Sequence, residues 1–145
     1  MNRLESLSPS FAEKLALASI AQRKAVVLAA CELAVKEARL DSADVHTALA
    51  VMREGRATTA AQVTMIATLA EHLDEQYFAL QEAADDGRAS ANDYLGPFSQ
   101  ARAASAIVYA FKDSSLDADM EAIYEATAAT DMPKETARML ESLLM

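Results

Sequence analysis

The sequence predicts an all-α fold: one domain spanning residues 1–145, a bundle of about six to seven mostly antiparallel helices. Three observations carry this. Alanine, the strongest helix former, is the commonest residue, while glycine and proline number three each, so few positions suit hairpin turns. Helix-capping signals recur along the chain. Apolar residues also return at helical intervals, most regularly at Val63, Ile66, Ala70, Leu73, Tyr77, Leu80 and Ala84, where three- and four-residue steps alternate. A chain of 145 residues that is 52% hydrophobic supports one real core and is short for two domains.

Ser8-Pro9 supplies an N-cap followed by a proline at the first helical position, and Leu7, Phe11, Leu15 and Ala18 then mark a short helix. Ser19-Ile20-Ala21-Gln22 fits a capping box and opens a longer helix whose wide apolar arc (Val27, Ala30, Cys31, Leu33, Ala34, Ala38) places it centrally. Asp41-Ser42 recaps the chain for a third helix through Val45, Leu49 and Met52, closed by Gly55. A second capping box, Thr59-Ala60-Ala61-Gln62, starts the seam helix, which ends at Asp86-Gly87. Gly96-Pro97 then predicts a short turn and a kink or restart before the strongly helical Gln100 to Phe111. Alanines around Ile107 and Phe111 thin that helix and predict the tightest packing of the fold. Asp113-Ser114-Ser115 caps a helix over about Leu116 to Ala129, with Leu116, Met120, Ile123 and Thr127 inward. Asp131-Met132-Pro133 begins a terminal helix whose Ala137, Leu140 and Leu144 close the core.

The formal charge of −9 is unevenly placed. Residues 1–58 carry eight Lys/Arg against seven Asp/Glu, and residues 59–145 five against fifteen, so the halves stand at +1 and −10. Such a field repels phosphate backbones and anionic lipid headgroups and speeds encounter with a basic protein partner. Nucleic acid and membrane surfaces are therefore not the expected partners. No apolar run reaches the roughly 20 residues that cross a bilayer, and Met1-Asn2-Arg3-Leu4-Glu5-Ser6 lacks the layout of a signal peptide, so a cytoplasmic protein is expected. The single Cys31, inside an Ala/Leu/Val helix, reads as a small buried hydrophobe.

Catalytic and metal-binding patterns are missing. The chain has no Gly-x-Ser-x-Gly, no glycine-rich phosphate loop and no Cys-x-x-Cys, and its two histidines, His46 and His72, lie far apart with no Glu-x-x-His. We therefore expect no enzyme, no cofactor and no metal. Arg102 and Ser105, in an otherwise apolar helix, are the one hint of a small polar pocket.

The candidate binding residues lie opposite the seam. Glu71, Glu75, Phe78, Glu82 and Asp85 share one helix face, a carboxylate stripe holding a phenyl ring, as a protein-binding hot spot requires. Asp117, Glu121 and Tyr124 repeat the pattern on a later helix and extend the candidate site.

The Ala101-Arg102-Ala103-Ala104-Ser105-Ala106 run, the Glu121-Ala122-Ile123-Tyr124-Glu125-Ala126 helix and the acidic surface resemble the small, acidic, all-helical immunity proteins of bacterial polymorphic toxin systems. That resemblance implies stoichiometric, non-catalytic neutralisation of a cognate toxin domain in the cytosol of the producing cell. The residues alone also allow a structural homo-oligomer, such as a homodimer burying the seam or the Phe78 face, and a small-molecule-binding helical bundle.

Overall fold

The computed structural model describes residues 2–112 and 115–144. Among these there is no strand; eight α-helices and a terminal 3-10 turn follow one another: α1 Arg3–Leu7, α2 Pro9–Leu17, α3 Ile20–Ala38, α4 Ala43–Glu54, α5 Ala60–Asp85, α6 Ala91–Lys112, α7 Leu116–Ala128 and α8 Pro133–Glu141, then Ser142–Leu144. The expected six to seven helices become eight because a five-residue helix precedes Ser8. Its N-cap is Asn2, whose side chain accepts the Glu5 N–H at 2.9 Å.

Both predicted capping boxes form. Ser19 Oγ accepts from the Gln22 N–H at 3.1 Å while Gln22 Oε1 accepts from the Ser19 N–H at 2.9 Å, and Thr59 and Gln62 repeat the pair at the same distances. Gly55 ends α4 with φ of 66°, the left-handed turn that favours glycine. Arg39 ends α3 in the same region at φ 55°, without that freedom. Ser115 caps α7 by accepting from the Ala118 N–H; its predicted companions Asp113 and Ser114 lie outside the described residues.

The core gathers where α3, α6 and α7 meet. Ala101, Ala103, Ala104, Ala106 and Ile107 of α6 are wholly buried, as are Cys31 and Ala34 of α3 and Ala122 and Ile123 of α7. Small side chains on α6 let its neighbours approach closely, which makes it as central as α3. Burial pushes the Cys31 thiol up to about 12, with Glu32 adding to the shift, so it stays protonated and serves as packing. The two ends of the chain close over this centre: α1 packs on α7, and α8 packs on α2 and α3.

Of the short turn and the kink or restart expected at Gly96-Pro97, the turn and the restart do not form: α6 runs unbroken from Ala91 to Lys112 with Pro97 inside it. A proline there leaves the Asp93 carbonyl without its usual donor, so local preference opposes the helix. Contacts with α5 hold it: Tyr94 and Phe98, on either side of the Gly96-Pro97 pair, set their rings 5.8 and 5.2 Å from that of Tyr77.

Candidate protein-docking face

Helix α5 divides at Leu73. Before it, Ile66, Ala70 and Leu73 are buried in the main core; after it no residue of α5 is buried, nor is any described side chain of α6 before Ala101. The seam is therefore graded: Val63, Tyr77, Leu80 and Ala84 are only half-buried. The last turns of α5 and the first turns of α6 form an arm of two helices joined by a short turn, with Tyr77 of α5 set against Tyr94 and Phe98 of α6.

This arm carries its own aromatic cluster. Tyr77 touches Phe78 (5.1 Å between ring centroids), Tyr94 and Phe98, and none of these four rings belongs to the main core. Phe78 is 59% exposed and Leu95 51%, so the cluster reaches solvent as an apolar surface. Sequence reasoning missed Tyr94, Leu95 and Phe98 because Gly96-Pro97 suggested a break. The i, i+4 spacing of Tyr94 and Phe98 was the signal that a helix face was present.

Around this apolar surface the charge has one sign. Glu71, Glu75, Glu82 and Asp85 are all exposed on the Phe78 side of α5, as the helical phase requires. From residue 71 to residue 100 the chain carries seven carboxylates and one arginine, Arg88, which pairs with Asp86 at 2.8 Å. Among the described residues none of the four stripe carboxylates is in an ion pair, so their charge is directed to solvent. His72, also exposed, lies 3.5 Å from Gln76 Nε2, a contact along the helix surface.

The second stripe is corrected. Asp117 is exposed, but Glu121 and Tyr124 are covered by the N-terminal helix, which sequence periodicity within α7 cannot register. Arg3 Nη2 reaches Glu121 Oε2 at 2.5 Å and Glu125 Oε1 at 2.8 Å, and its guanidinium carbon lies 4.4 Å from the centroid of the Tyr124 ring. Burial alone would lower the Arg3 pKa, but hydrogen bonds to Glu121 and Glu125 outweigh it and raise the value. Glu121 and Tyr124 thus hold α1 in place and do not extend the free acidic face.

Arg102 is also committed. Nη1 donates to Glu125 Oε2 at 3.0 Å and Nη2 to Asp74 Oδ1 at 2.5 Å, which ties α5, α6 and α7 together. Glu125, whose side chain is 4% exposed, sits between Arg3 and Arg102. This chain of two guanidinium groups and three carboxylates is a structural clamp, and neither Arg102 nor Ser105 lines a described cavity. Among the described residues no group of three His, Cys, Asp or Glu side chains is arranged to hold a metal ion, and no helix is long and apolar enough to cross a membrane.

No protein-family model matches the chain, and no curated protein or solved structure is significantly similar to it.

Proposed function

We propose that this chain is a non-catalytic protein-binding module whose arm, centred on Phe78, docks onto a basic protein surface. One observation carries the reading: a 59% exposed phenyl ring lies amid four carboxylates that have no ion pair among the described residues, backed by three further rings outside the main core. The two parts have separate roles. The carboxylates steer a basic partner into encounter, and the desolvated ring retains it. A toxin domain with a basic nucleic-acid cleft is the partner class that this charge and the resemblance to immunity proteins favour.

The test is association kinetics, at low and high salt, with the protein encoded beside this one. Glu75→Lys with Glu82→Lys is expected to slow association on the order of tenfold at low salt and to weaken its salt dependence. Phe78→Ala is expected to act on dissociation instead, costing about 2 kcal/mol or roughly 30-fold. Unchanged kinetics in both variants would remove this face as the site. A salt-insensitive homodimer that buries Phe78 would replace the foreign partner with a second copy of the chain.

A further inference from the structure

A cavity of about 380 Å³ opens on the molecule away from the arm, where the early turns of α3 face the C-terminal ends of α4 and α6. Its floor is apolar: Val27, Val51 and Phe111 are buried there, and Met52 is half-buried. Its rim is cationic, with Lys24, Arg56 and Lys112 all exposed. In a chain of net charge −9, three cations around one apolar depression oppose the prevailing field.

The local charge can be counted among the described residues. Arg56 is engaged by Glu54, and the buried Asp119 is matched by Arg23 at 3.0 Å. Among the described residues Lys24 and Lys112 have no ion pair, Lys112 Nζ lying 4.5 Å from the centroid of the Tyr109 ring. Against these two full charges stand the C-terminal dipoles of α4 and α6, worth roughly half a charge each. Among the described residues a net charge near one positive unit is left above an apolar floor, which suits a monoanion with a hydrocarbon or aromatic body and disfavours an amine.

We propose that this cavity binds a small amphipathic monocarboxylate, its apolar body against Val27, Val51, Met52 and Phe111 and its carboxylate between Lys24 and Lys112. The site shares no residue with the docking face and does not depend on that reading. Three ligands of equal chain length, decanoate, decanol and decylamine, titrated below their aggregation limits and followed by amide NMR shifts, test it. Decanoate is expected to saturate with shifts confined to the cavity, decanol to bind at least roughly tenfold more weakly, and decylamine more weakly still. In Lys24→Glu with Lys112→Glu, two exposed changes that leave the core intact, the preference for decanoate over decanol is expected to vanish. Met52→Trp, which fills the cavity, is expected to remove binding of all three. Equal affinity for decanoate and decanol, a preference unaffected by the double reversal, or no binding of decanoate would each overturn the proposal.

Discussion

Glu125 shows most clearly how single residues hold this molecule together. A carboxylate almost wholly removed from water is costly unless paired, and here Arg3 of α1 and Arg102 of α6 both pair with it. Arg102→Met is expected to destabilise the fold by about 2–4 kcal/mol in urea unfolding, the lower part of the range reflecting an arginine about one-fifth exposed. Glu141 offers a pH test. Hydrogen bonds from Lys14 Nζ at 2.8 Å and Ser10 Oγ at 2.6 Å hold its pKa below the ordinary carboxylate value of 4.5, outweighing the opposing effect of burial. A lowered folded-state pKa means stability that is complete above the unfolded value and lost as pH falls through the folded one. Thermal melts from neutral pH to below 4.5 should show Glu141→Gln losing less stability on acidification than the parent chain.

At the scale of elements, α5 has two phases with opposite expectations. Leu73 is 6% exposed and Phe78 59%, although they lie five residues apart on one helix. Leu73→Ala should cost roughly 2–5 kcal/mol of unfolding free energy, and Phe78→Ala should stay within about 0.5 kcal/mol of the parent. Chemical denaturation of both variants checks this, and comparable losses would mean that Phe78 is a packing residue. The carboxylate face and the buried Ile66-Ala70-Leu73 stripe were legible in the sequence because both follow from the helical period. The unbroken α6 was not, since Pro97 signals a break locally and the contacts that hold the helix come from Tyr77 on a different element.

The whole molecule is closed by its ends. Leu4, in α1, is fully buried, and Arg3 binds Glu121 and Glu125 across more than a hundred residues of sequence. Removing residues 2–7 is expected to destabilise the protein by at least about 3 kcal/mol, because it combines the loss of a buried leucine with the loss of one partner of a buried carboxylate. Calorimetric melting of the truncated chain against the full one measures this. The same truncation uncovers Glu121 and Tyr124, so the acidic surface of α7 should enlarge as stability falls.

The sequence by itself determined the helical class, the capped starts of α3, α5 and α7, the phase of α5 and the concentration of negative charge in the second half. These are local or periodic properties, set within a few residues by hydrogen-bonding caps and the 3.6-residue turn. Only the tertiary structure decided which outward faces remain free. Phe78 is left exposed because the arm outruns the core, whereas Tyr124, with the same kind of spacing, is covered by Arg3 from the opposite end of the chain. It likewise gathered Lys24, Arg56 and Lys112 around one cavity, a juxtaposition of residues from three helix ends that no spacing along the chain encodes.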